Sequence, residues 1–244
     1  QPEPSQHCFD HEDESKEEVS EEDESKPVVA ERAKPISLYC FALMMPTGYE
    51  RTLVQMQQEE NLGIFACDAT TVYSDKAFRL APNLHTSVVN STLKCDYGGE
   101  FGTALNADIF FIVWAKVLED GIFRAHSWTV KADPDTVFMP WRLAILLQDY
   151  EEAPQGVYLN NCKYGLHGPI EVLSQRAVLA WTKGFGKCTD FFNQKCSGPC
   201  WWGEDMFMDQ CLMLVLGVRR ENSSQVLSEK HCDPVPGWDS CEDP

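Results

Sequence analysis

No run of about 20 apolar residues occurs in the 244-residue chain, so nothing in it is suited to spanning a membrane as a helix. The longest apolar patch, Ile109-Phe-Phe-Ile-Val-Trp-Ala115, is only the size of a core segment. Basic residues are scarce: 20 Lys and Arg against 38 Asp and Glu give a formal net charge of −18, which argues against nucleic acid as a partner because its phosphates would repel the chain. Cys-x-x-Cys pairs are also missing, which weighs against a structural zinc site even though the chain holds 11 cysteines.

That many cysteines fits disulfides formed in an oxidising compartment. Two glycosylation sequons, Asn90-Ser-Thr and Asn222-Ser-Ser, point the same way. The expected address is the lumen of the secretory pathway (Golgi or endoplasmic reticulum) or the cell exterior. The chain begins at Gln1 rather than Met, which leaves room for a signal or membrane anchor upstream. Any membrane attachment is expected through such an anchor and not through this chain.

The charge is unevenly spread. From Asp10 to Glu24 ten acids face one Lys, so this stretch carries −9, half of the total. Residues 1–34 are polar and almost free of aromatics and cannot bury enough surface to offset chain entropy, so they are expected to form a disordered acidic tail or stem. Residues 35–244 are expected to form the folded domain. Its last part, 188–244, is rich in cysteine: Cys188, Cys196, Cys200, Cys211, Cys232 and Cys241.

The folded part opens with Ile36–Met44, a nearly continuous apolar run of the kind that forms a buried parallel strand. A helix is expected from about Tyr49 to Glu60, and a second strand over Leu62–Cys67, closed by Asp68. Strand, helix, strand is the βαβ pattern of an α/β fold, in which ligands bind beyond the carboxyl ends of the strands. Thr47 and Asp68 are therefore expected beside a nucleotide. Residues 69–102 read as irregular, Phe101–Glu119 as a long helix, Gly156–Asn160 as a strand, and Val172–Thr182 as a helix capped by Ser174. His167, in the loop Gly165–Gly168, is a candidate for contact with an acceptor.

Two stretches carry chemistry. Trp128–Phe138 reads as a strand with one buried face, ending in Asp133 and Asp135 one residue apart; Pro140 then opens a helix. Two carboxylates at the end of a buried strand suit a hard divalent cation that shares oxygen ligands with a pyrophosphate. Trp201–Leu216 reads as a helix with Glu204 and Asp205 in its first turn. Trp201, Trp202 and Phe207 are candidates for stacking on a sugar.

Together, Lys131-Ala-Asp-Pro-Asp-Thr-Val137 and Glu204-Asp-Met-Phe-Met-Asp-Gln-Cys-Leu212 resemble the two motifs of the inverting glycosyltransferases of the fringe and β-1,3-galactosyl/N-acetylglucosaminyltransferase group, over roughly 35–220. The resemblance implies a GT-A (Rossmann-like) fold with a mixed central sheet flanked by helices. It also implies an inverting, metal-dependent hexosyltransferase that uses a nucleotide sugar, of the UDP-sugar kind, and a glycan or glycoprotein acceptor. Asp133 and Asp135 would hold Mn²⁺ or Mg²⁺, and Lys131 and Asp133 would contact the donor. Asp205 would be the base, with Glu204 as the fallback, and His231 is the one downstream histidine available as a further metal ligand. The chain departs from the family pattern at Pro134, Met206 and Asp209. Two other readings stay open: a non-catalytic, glycan-binding relative, and a disulfide-rich secreted protein whose acidic tail collects Ca²⁺.

Overall fold

The computed structural model describes residues 35–99, 102–195 and 202–232. The acidic tail, Trp201, and Cys8, Cys196, Cys200 and Cys241 lie outside the described residues. In chain order the elements are β1 (Leu38–Leu43), α1 (Tyr49–Glu59), β2 (Ala69–Ser74), β3 (Arg79–Ala81), β4 (Leu84–His85), β5 (Ser87–Val88), β6 (Tyr97–Gly98), β7 (Thr103–Ala104), α2 (Ala107–Asp120), β8 (Trp128–Ala132), α3 (Pro140–Leu146), β9 (Val157–Asn160), β10 (Ile170–Ser174), α4 (Gln175–Lys195), α5 (Glu204–Gln210) and β11 (Arg219–Asn222).

Seven strands form one mixed sheet in the order β11-β9-β10-β8-β1-β2-β5. Each neighbouring pair is parallel except those made by β10, which runs against both β8 and β9. The carboxyl ends of β1, β2, β8, β9 and β11 therefore share one edge, and β10 starts there. The expected α/β architecture, a mixed central sheet flanked by helices, is the one found.

Helices cover both faces. Cys40, Ala42, Val130 and Val172 pack with Val54 of α1 and Leu143 of α3, whereas Tyr39, Phe41, Tyr158 and Leu173 pack with Trp114 of α2, Trp181 of α4 and Met208 of α5. This two-sided burial corrects the expectation for the central strand: all five residues of β8 are buried, including Thr129 and Lys131. Three disulfides tie the described residues together: Cys40–Cys67, Cys162–Cys232 and Cys188–Cys211.

Several boundaries move. Leu62–Cys67 is not a strand; Gly63, at φ 56°, turns the chain into a 3₁₀ helix over Gly63–Ala66, and the disulfide pins Cys67 beneath β1. The β-branched run Thr70-Thr-Val72 supplies the strand instead. Residues 69–102, expected to be irregular, hold β2 to β6. The helix expected from Phe101 starts at Ala107, after the short pairing of β6 with β7. Val172 lies in β10, and α4 starts only at Gln175. Ser174 caps that helix as expected: its Oγ accepts the Ala177 N–H at 3.4 Å, and also the Val157 N–H at 2.8 Å.

Candidate active site

The aspartate turn after β8 is fixed by backbone bonds. The Asp133 N–H donates to Pro169 O at 3.0 Å, the Thr136 N–H to Asp133 O at 3.0 Å, and the Thr136 hydroxyl to Pro169 O at 2.8 Å. Pro134, where the family pattern has an aspartate, offers its carbonyl to Gln57 Nε2 at 2.8 Å, which anchors the turn to α1. Asp135 is exposed and accepts the Tyr49 hydroxyl on Oδ2 at 2.9 Å. Thr47 is exposed in the loop after β1, on the same edge of the sheet.

Asp68 is not on that edge. It precedes β2, whose first residue Ala69 is in register with Tyr39, so it sits at the amino end of the parallel strands. Its Oδ2 accepts the Leu38 N–H at 2.7 Å, a bond that starts β1 rather than one that contacts a ligand. The misplacement follows directly from the strand expected over Leu62–Cys67.

Lys131 is the hub of the site. Its Nζ lies 2.9 Å from Asp133 Oδ1, 3.4 Å from Glu171 Oε1 and 3.7 Å from Glu204 Oε2, donates to Gly168 O at 2.7 Å, and sits 4.6 Å from the centre of the Phe110 ring. Lys131, Glu171 and Glu204 are 2%, 0% and 2% exposed, so these charges meet where water does not screen them. Burial alone would lower the Lys131 pKa, but the surrounding Glu171, Asp133 and Glu204 outweigh it and keep the ammonium charged. Burial, reinforced by Glu204, pushes Glu171 well above the usual carboxyl range, against the pull of Lys131. Burial also raises Glu204, against the pull of Lys131.

Glu171 escaped the sequence reading because no strand was expected around it, the stretch from Val172 reading as a helix. The signal lies in the pairing of β10 with β8, which sets Glu171 directly opposite Lys131. α5 is seated by two further bonds to α2 and its N-cap: the Glu204 N–H donates to Asn106 Oδ1 at 2.9 Å, and Trp114 Nε1–H donates to Glu204 Oε1 at 3.3 Å.

Asp205 faces the opening, its side chain 26% exposed. The Gly168 N–H donates to its Oδ2 at 3.0 Å and the Met206 N–H to its Oδ1 at 2.7 Å, while His167 Nδ1 lies 3.6 Å from Oδ2. Burial would raise the Asp205 pKa, but His167, these two N–H groups and Lys131 together lower it, so the group is ionised. Lys131, Asp133, His167, Glu204, Asp205 and His231 all border one cavity of about 500 Å³. Asp133 also borders a second cavity of about 770 Å³, lined by Asp135, Arg142 and Glu229 and by apolar residues of α3 and the 225–229 segment.

The aromatic candidates fare differently. Phe207 is buried against Phe111 and Phe192 in the core, so it is no sugar platform. Trp202 packs edge-on against Phe192 at 5.2 Å. Asp209, where the family pattern has glycine, is fully buried; it accepts the Tyr158 hydroxyl at 2.9 Å and lies 3.3 Å from Arg220 Nε. That departure joins α5 to β9 and β11 and leaves the cavity untouched.

No family model matches the chain, and no curated protein matches it. Among solved structures, one similar chain is the crystal structure of a glycosyltransferase involved in the glycosylation of the major capsid of PBCV-1. Similarity covers 77% of this chain and 81% of that one, with a TM-score of 0.37 and 9% sequence identity.

Proposed function

We propose that the chain is an inverting, metal-dependent glycosyltransferase that moves a hexosyl group from a nucleotide sugar of the UDP-sugar kind to a hydroxyl of a glycan or glycoprotein. The observation that carries this reading is the meeting of the two motifs: Asp133 and Asp205, from separate stretches of chain, border one cavity at the carboxyl edge of the sheet.

The donor set suits a hard cation. Lys131 engages Asp133 through Oδ1 and Tyr49 engages Asp135 through Oδ2, which leaves Asp133 Oδ2 and Asp135 Oδ1 as two carboxylate oxygens for Mn²⁺ or Mg²⁺. Such an ion, when bound, neutralises charge on a departing nucleoside diphosphate. The chain's own residues do the rest. Asp205, ionised and held by the N–H groups of Gly168 and Met206, takes the proton of the acceptor hydroxyl. The acceptor oxygen bonds to the anomeric carbon as the bond to the diphosphate breaks, which inverts that centre. Glu204 is too buried to reach an acceptor and instead holds Lys131, which holds Asp133.

Three disulfides, together with exposed Asn90 and Asn222 in both sequons, support work in the secretory lumen or outside the cell. No described helix is long and apolar enough to cross a membrane. The reading is tested by titrating UDP into the chain with and without Mn²⁺. Binding that needs Mn²⁺, and that Asp133→Asn with Asp135→Asn abolishes, is expected. Equal binding with and without the ion would overturn the metal role.

A further inference from the structure

The cavity has one feature that neither motif uses. His167, from the loop between β9 and β10, and His231, from the 3₁₀ turn Lys230–Cys232, close on the same carboxylate. His167 Nε2 lies 3.1 Å from Glu229 Oε2, and His231 Nδ1 lies 3.3 Å from that same oxygen. The two rings stand edge to face, 4.7 Å apart. The donor atoms of His167, Glu229 and His231 all fall within 4.8 Å of one another. Cys232, which shares this neighbourhood, is committed to the disulfide with Cys162 and offers no thiolate.

We propose that His167, Glu229 and His231 form a binding site for a divalent transition-metal ion of the zinc class, separate from the hard-cation position at Asp133 and Asp135. Three observations carry it. The first is spacing: bonds of about 2.05 Å in a tetrahedron set donors about 3.3 Å apart, and the two nitrogen-to-oxygen separations, 3.1 and 3.3 Å, are close to that. The second is donor chemistry, since two imidazoles and one carboxylate select a borderline ion such as Zn²⁺ or Co²⁺ over Mg²⁺ or Ca²⁺. The third is the surroundings. His167 turns its other nitrogen, Nδ1, toward Asp205 Oδ2 at 3.6 Å, which is the carboxylate–histidine–metal relay that orients a ligand from behind. The Cys162–Cys232 disulfide links the two segments that supply the histidines and so holds the ligands in place before any ion arrives.

Three protein ligands leave the fourth tetrahedral position for water or a substrate group. His167 and His231 border the cavity shared with Asp205, so that position belongs to the cleft and not to the protein interior. An ion here would fix the loop that holds Asp205. The inference does not depend on the transferase reading, because it concerns metal binding in the absence of any sugar nucleotide.

The test uses the full, disulfide-bonded chain after dialysis against a chelator, titrated with Zn²⁺ alone by calorimetry and with Co²⁺ alone by visible absorption. We expect one equivalent of Zn²⁺ and a tetrahedral Co²⁺ spectrum. His231→Ala and Glu229→Gln, at partly exposed positions that leave folding intact, should each weaken binding at least ~100-fold, and Asp205→Asn should weaken it ~10- to 100-fold. Asp133→Asn with Asp135→Asn should leave Zn²⁺ affinity unchanged. No stoichiometric binding by the wild type overturns the proposal. So does binding that survives both His231→Ala and Glu229→Gln, which would place the metal elsewhere, such as on His7 and His11 of the acidic tail. Loss of Zn²⁺ in the Asp133/Asp135 variant would overturn it by merging the two sites.

Discussion

Lys131 Nζ and Glu204 Oε2 lie 3.7 Å apart inside the protein, joining the end of the central strand to the first turn of α5. The pair is the physical link between two motifs that sequence alone could only set side by side. Replacing Lys131 by Met would strand the Glu204 carboxylate without a cation, and removing one partner of a buried pair costs about 3–5 kcal/mol. We expect a loss of that size in urea unfolding. Lys131→Met combined with Glu204→Gln should recover part of it, because the buried Glu204 charge is then gone as well.

Glu171 gives a test of opposite sign. Its carboxyl is pushed up by burial and by Glu204, so the folded protein keeps a proton that the unfolded chain releases above the ordinary value of 4.5. Between that pH and the raised folded value the folded state binds more protons, and its stability falls as pH rises. Glu171→Gln removes the titration while keeping the neutral shape. We expect the variant to gain on the wild type steadily as pH is raised from 4.5 toward neutrality, as read by thermal or urea unfolding. A gap that stays flat would show that Glu171 is ionised when folded.

The Cys162–Cys232 bridge spans a sequence separation of 70 and ties the segment bearing His231 to the end of β9. Replacing both cysteines by serine should cost about 2–4 kcal/mol in unfolding experiments, since the unfolded chain regains the freedom of a long loop.

Gly156 precedes β9 at φ 95°, where a side chain is strained, and a Cβ there would lie 2.1 Å from Ala177 N and 2.5 Å from its Cα. Backbone cannot yield as a flexible side chain can. Gly156→Ala should therefore destabilise by more than about 2 kcal/mol. Gly186→Ala, at an exposed position inside α4 where a Cβ meets nothing within 4 Å, serves as the control and should stabilise by about 0.5–1 kcal/mol.

The elements that sequence made legible are those with a strong local signal. The apolar run of β1, the helix from Tyr49, the strand before Asp133 and the start of α5 at Glu204 all stand where composition and punctuation put them. The failures share a cause, which is that tertiary context overrode local pattern. Ile64, Phe65 and Cys67 are apolar because they pack into the core beneath the sheet, where Cys67 carries a disulfide, and not because they pair. Ile170–Ser174 is too short to stand apart from the helix it feeds, so β10 went unseen, and with it the reversed strand that brings Glu171 to Lys131. The same limit hid Glu229, whose meaning depends on two histidines from distant segments closing on one oxygen. A candidate residue was legible where its motif was contiguous and illegible where strand pairing or a loop approach created its surroundings.

The proposed base, Asp205, offers the most direct measurement. Transfer would be followed with Mn²⁺ across a panel of UDP-sugars and glycan acceptors, for the wild type and for Asp205→Asn, with UDP binding recorded on the same samples. We expect the wild type to transfer at least one sugar, and Asp205→Asn to lose ~10²- to 10⁴-fold in rate, the range for a positioned general base, with UDP binding unchanged. Transfer undiminished in Asp205→Asn, or no transfer by a folded, disulfide-bonded wild type on any member of the panel, would contradict the assignment.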